Sequence, residues 1–111
     1  MERKIEVAFH PPVVDYLDHL IYSLYIDNYF GFIDSAIEYV DKMVDYIVEN
    51  IQFKPNKKAP LFFDKYGENL LFITYQPSNQ TTWYILFILN NNRYLIKFIT
   101  NNHVSGHLFN N

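Results

Sequence analysis

An α+β fold is predicted by a change of hydrophobic period along the chain. Up to about residue 52 the apolar residues recur at intervals of three and four; beyond the loop "KPNKKAP" they alternate at two. A short alternating run also precedes the helical part, so the order reads strand, helix, helix, strands. The expected architecture is an N-terminal strand and a two-helix antiparallel hairpin packed on a mainly antiparallel sheet of four to five strands. The 111 residues, half of them hydrophobic and 19% aromatic, supply one core and one domain over 1–111.

Each element has its own signal. "KIEVAF" (Lys4–Phe9) alternates Ile5, Val7 and Phe9 with Lys4, Glu6 and Ala8, the pattern of a half-buried strand. "HPP" stops it, and Pro12 suits the first turn of a helix, where a missing N–H costs nothing. Val13, Leu17, Leu20, Ile21 and Leu24 then mark a helix to about Asp27. In "DNYFG", Asn28 and Gly31 are the turn or cap residues. The second helix carries the stripe Phe30, Ile33, Ile37, Val40, Val44, Ile47, Ile51, with Asp34, Glu38, Asp41, Asp45 and Glu49 outside. Glu38 and Lys42 stand at the favourable i,i+4 spacing. "LFFDKY" and "NLLFITYQ" read as a hairpin turned at "GE". "PSNQ" turns the chain again, "TTWYILFIL" is a strand, "NNN" is a tight turn, and "RYLIKFIT" returns antiparallel.

Composition excludes several classes. No run approaches the ~18 apolar residues of a membrane span, the longest being "WYILFIL". The N-terminus lacks the apolar core of a secretion signal, and cysteine is absent; a cytoplasmic home is expected. No phosphate-cradling glycine loop, dinucleotide fingerprint or hydrolase signature occurs, and no cofactor is expected. Charge is divided unevenly. Residues 1–52 hold three Lys/Arg against ten Asp/Glu, and residues 53–111 hold six against two. A sided molecule able to meet a polyanion follows, unless the acids simply populate the outer faces of helices.

Along "RYLIKFIT", strict alternation puts Arg93, Leu95, Lys97 and Ile99 on one face and Tyr94, Ile96, Phe98 and Thr100 on the other. The second set is more apolar and makes the better core face. Arg93 and Lys97 then share an open face with tyrosine or tryptophan of the neighbouring strand. Cations beside rings suit single-stranded nucleic acid; the plainer account is two solvated charges.

The order of elements, ending in "TTWYILFILNNNRYLIKFITNNHVSGHLF", resembles the RelE/ParE toxin superfamily over most of the chain. The final strand pair and the histidine turn after it carry the likeness. The resemblance implies the toxin of a bacterial type II toxin–antitoxin pair, held in a hetero-oligomer by a small antitoxin that wraps its surface. Many such toxins are mRNA interferases, ribosome-dependent endoribonucleases that bind RNA and inhibit translation; the ParE branch inhibits DNA gyrase without nuclease chemistry. His103 falls where many members carry a histidine or other basic residue. The family's usual pattern thins elsewhere: Val104 replaces a common arginine, Trp83 stands near another, Phe109 lies where ribonuclease members place a tyrosine, and Lys57 and Lys58 stand where some use a glutamate.

RNA cleavage needs a base for the 2′-OH, an acid for the leaving oxygen and cations for the phosphorane charge. His103 is the candidate acid/base, with Arg93 and Lys97 completing the catalytic set. Lys54, Lys57, Lys58, Trp83 and His107 are candidate RNA or phosphate contacts. His103-x-x-x-His107 has the spacing of a helical metal pair, but "NNHVSG" reads as turn and loop, and no metal is expected. His10 and His19 are read as structural, and the tyrosines of the helices as core edge.

Overall fold

The computed structural model describes residues 4–27 and 31–109. Asn28 and Phe30, expected in the helix–helix turn and at the head of the second stripe, lie outside them. The elements run β1 (Glu6–Phe9), α1 (Pro11–Ile26), α2 (Ile33–Asn50), β2 (Lys57–Lys58), a 3-10 segment (Leu61–Tyr66), β3 (Leu71–Ser78), β4 (Thr81–Asn90), β5 (Arg93–Asn101) and α3 (Asn102–Phe109). One sheet holds the five strands in the order β1-β5-β4-β3-β2. Only β1 pairs parallel, from Glu6 against Arg93 to Phe9 against Ile96. The α+β architecture is the expected one.

The helical hairpin covers one face of the sheet. Val13 and Leu17 of α1, and Val40, Met43, Ile47 and Ile51 of α2 and its end, meet Ile73, Trp83, Ile85, Phe87, Tyr94, Ile96 and Ile99. The stripe of α2 is rotated from the expected one: Ala36 and Met43 are fully buried, while Ile37 is on the rim. The i,i+4 pair forms, with Lys42 Nζ 3.3 Å from Glu38. Its two side chains are two-thirds exposed, which holds its contribution to about 0.5 kcal/mol or less.

Two expectations fail, each for a local reason. "LFFDKY" is a 3-10 segment rather than a strand. Pro60 precedes it and cannot donate to a ladder, and the Phe63 amide closes a turn onto the Pro60 carbonyl at 3.0 Å. The strand that pairs with β3 is instead the two-residue β2, Lys57 against Phe72 and Lys58 against Leu71. The second failure concerns β5. Leu86 pairs with Phe98 but Phe87 pairs with Ile96, so Lys97 is an extra residue, a β-bulge. Because side chains alternate strictly, one extra residue exchanges the faces beyond it. Tyr94, Ile96 and Ile99 therefore face the helices, and Phe98 turns to the other side.

That other side is not open either. Phe63 of the 3-10 segment and Leu108 and Phe109 of α3 pack over Leu70, Phe72, Tyr84, Leu86 and Phe98. The rings stack closely: Phe109 lies 3.8 Å from Tyr84 at 1°, and Tyr66 lies 4.1 Å from Phe98 at 14°. The expected open face of cations and aromatics is thus in large part a second, aromatic core, and Arg93 keeps its expected place only at the end of that face, beside Glu6.

Candidate functional site

The histidine turn is built by asparagines. Asn101 ends β5, and its Oδ1 accepts the backbone N–H groups of His103 at 2.9 Å and Val104 at 3.1 Å. This is an N-cap, and it turns "NHVSGHLF" into a helix where loop was expected. Asn102 ties the start of α3 to the β3–β4 turn: its Oδ1 accepts the Thr82 N–H at 2.9 Å and its Nδ2 donates to the Gln80 carbonyl at 3.0 Å. Within α3, the hydroxyls of Ser105 and Thr100 bond at 2.8 Å under the helix.

His103 consequently stands in the first turn of α3, exposed, with Nε2 3.1 Å from the Thr81 hydroxyl. It rims a cleft of about 370 Å³ between α1, α2 and the β3–β4 turn. Leu20 and Leu24 form the apolar side, and Ser78, Gln80, Thr81 and Asn101 the polar side. Trp83 also lines it, but is 2% exposed. Its Nε1 donates to the Tyr39 hydroxyl at 2.9 Å, with the two rings edge to face. A tryptophan so held cannot stack on a nucleobase, which needs a free ring face.

The other candidates do not converge on His103. Arg93 is at the opposite end of β5, about 26 Å away along a strand rising ~3.3 Å per residue. There it pairs with Glu6 at 2.9 Å. Lys57 and Lys58 lie on β2, three strands from β5, about 14 Å across the sheet. Lys54 follows α2 and sits over the Tyr46 ring at 5.5 Å. Lys97, in the bulge, lines a separate cleft with His10 and Lys65. His107 is exposed on the last turn of α3. Its i,i+4 spacing to His103 is now truly helical, yet among the described residues no group of three potential ligands forms. Among the residues lining the His103 cleft there is no lysine, arginine or carboxylate.

Sequence reasoning missed Asn101, whose cap orients the histidine, and Thr81, which meets it from the far end of β4. An asparagine before a polar run was the available signal for the cap; nothing local marks a cross-strand partner. Phe109 proves to be a packing residue, stacked among Phe63, Phe72 and Tyr84. His19 is structural, with Nδ1 2.8 Å from the Asp15 carbonyl. Two tyrosine hydroxyls are shifted. Burial, then Tyr39, pushes Tyr16 above its ordinary 10.0, and the same two causes, burial first, raise Tyr75, where Lys42 opposes them and Tyr46 adds to them.

No helix among the described residues is long and apolar enough to cross a membrane. Compared with protein-family models, with curated proteins and with solved structures, the chain matches none.

Proposed function

We propose that this chain is a RelE/ParE-like toxin of a bacterial type II toxin–antitoxin pair, cytoplasmic and neutralised by a wrapping antitoxin, and that it acts by protein contact. One observation carries the mode of action: among the described residues, no lysine or arginine lines the cleft that holds His103. A phosphorane cannot form cheaply in a cleft that none of the Lys and Arg candidates lines. The burial of Trp83 and the packing of Phe109 among other rings point the same way. Large exposed side chains along the helical hairpin, among them Tyr22, Ile26 and Phe32, provide contact surface for a protein target such as gyrase.

A second reading, ribosome-dependent mRNA cleavage, has one specific observation in its favour. His103 is accessible, stands in the first turn of a capped helix, and keeps its ring within hydrogen-bond distance of a hydroxyl, a place from which a side chain can reach a substrate proton. On the ribosome, RNA or ribosomal groups supply what the isolated cleft lacks.

Induction in a bacterial host separates them, with growth followed and mRNA 5′ ends mapped beside a His103→Ala variant. Growth arrest without new 5′ ends, unchanged in the variant, is the expected result; loss of supercoiling by purified gyrase would then name the target. New in-frame ends that vanish in a folded His103→Ala protein would replace contact with catalysis. Absence of arrest in hosts carrying either target removes the toxin reading.

A further inference from the structure

The bulge at Lys97 and the "HPP" stop meet in space. After β1, the His10 amide donates to the Ile96 carbonyl at 2.9 Å, which fixes His10 beside the bulged residue. From there Pro11 and Pro12 start α1. The 3-10 segment approaches the same place with Lys65 and Tyr66. The result is a cleft of about 460 Å³ in which Lys97, Lys65 and His10 stand with the rings of Tyr16, Tyr66 and Phe98. Among the described residues, its lining contains no carboxylate and shares no residue with the His103 cleft.

Three features of this cleft suit it to a ligand. First, like charges gather without a counter-ion. The ion pairs among the described residues engage Lys42 and Arg93, not Lys65 or Lys97. Lys65 is instead held over the Phe62 ring at 4.2 Å and near Tyr66 at 5.5 Å, and Lys97 is only partly exposed. Cations converging in a partly walled cleft set up a field that an anion relieves. Second, the cations sit beside a stacked aromatic wall, Tyr66 on Phe98 at 4.1 Å. Third, a bulge is a device that re-aims one side chain out of the alternation, and here that side chain is the lysine.

We infer that this cleft binds a small aromatic phosphate of mononucleotide size, with Lys65, Lys97 and His10 on the phosphate and Tyr16 and Tyr66 against the ring. The volume lies within the range of small-molecule sites. Lysine suits the task as a point charge for phosphate, and ring faces accept a base without selecting its edge. The inference stands apart from the toxin reading and holds or falls without it.

The experiment is titration of the full chain with adenosine monophosphate, adenosine and inorganic phosphate, followed by backbone NMR shifts and calorimetry. Two charge-matched variants accompany it, Lys65→Gln/Lys97→Gln and Lys57→Gln/Lys58→Gln, both checked for a native circular dichroism spectrum. The nucleotide is expected to shift residues around His10, Lys65 and Lys97. Loss of both cations there weakens it about tenfold or more, as removal of charge-assisted phosphate contacts does, whereas the β2 variant binds normally. Adenosine and phosphate alone bind more weakly than the nucleotide. Equal weakening in both variants would reduce the site to general surface charge and overturn the inference. So would phosphate binding as tightly as the nucleotide, or no binding of the nucleotide at millimolar concentration. If Lys65→Gln/Lys97→Gln does not fold, the single Lys65→Gln variant decides, since Lys65 is exposed on the 3-10 segment.

Discussion

The two faces of the sheet are covered by different means. On one, two helices of 16 and 18 residues lay down an interior of mostly aliphatic residues, with Ile47, Ile85 and Ile96 fully buried. On the other, a six-residue 3-10 segment and an eight-residue helix do the same work with rings. The contrast follows from size. A short segment offers few side chains, so each must bring much area, and an aromatic ring buries about 150–250 Å². Aliphatic packing spreads its free energy over many residues; the aromatic face concentrates it in Phe63, Tyr84, Phe98 and Phe109.

The comparison can be tested first at the hinge between the faces. Deleting Lys97 takes out the bulge yet leaves Ile96 and Ile99 toward the helices and Phe98 on the other face, so the chain is expected to fold with both faces intact and to lose about 1–3 kcal/mol from the altered strand geometry. Lys97→Ala, which keeps the bulge, should cost about 1 kcal/mol or less. Denaturant melts of the two proteins make the test, and a deletion variant that does not fold would show that the bulge itself, and not only the alternation of faces, is required. Next comes Phe87→Ala on the helical face, expected to cost about 3–5 kcal/mol, against about 2–3 kcal/mol for the half-buried Phe109→Ala. The signature of the second differs as well as its size. Amides of α3 should lose exchange protection while those of α1 and α2 keep theirs; loss across the whole chain would mean that the two faces are one cooperative unit. Asn101→Ala removes the cap of α3 and is expected to cost about 1 kcal/mol. NMR should show fraying of residues 102–105 and a displaced His103.

The smallest effect is electrostatic. Burial raises the hydroxyl pKa values of Tyr16 and Tyr75 in the folded chain above the ordinary 10.0. The folded state therefore prefers the neutral phenols, a stabilisation complete below pH 10 and lost as pH rises through the raised values. Melting at pH 8 and pH 11 should show the loss, and Tyr16→Phe should reduce it.

What could be read from the residues follows the same division. The helical face was legible because its signal is periodic: Val13 to Leu24 and Val40 to Ile51 repeat at three and four, and the structure buries most of them. The rotation that admits Ala36 and Met43 in place of Ile37 is a matter of crossing angle, which a single helix does not encode. The aromatic face was illegible because it arises from a one-residue irregularity. Nothing in "RYLIKFIT" distinguishes a bulge at Lys97 from regular alternation; the choice is made by Phe98 finding Tyr66 and Leu86. The candidate site divides likewise. His103 could be singled out from its type and its asparagine neighbours, but that Arg93 pairs with Glu6 depends on the parallel docking of β1. His10, read as structural, sits beside Lys97 only because β1 ends one strand away.

That parallel pairing also sets a schedule for the chain's birth. Glu6 to Phe9 leave the ribosome early, yet the residues they bind, Arg93 to Ile96, leave late. Between the two events the helical hairpin has emerged with its apolar stripe and no sheet to rest on. Contacts so distant in sequence close slowly, and exposed stripes invite capture by other molecules meanwhile. A nascent chain of this design closes its sheet only when nearly all of it has been synthesised, so a product truncated before β5 carries neither cleft. Whatever this protein does, it begins only after Lys97 has been added and the first strand has found its place.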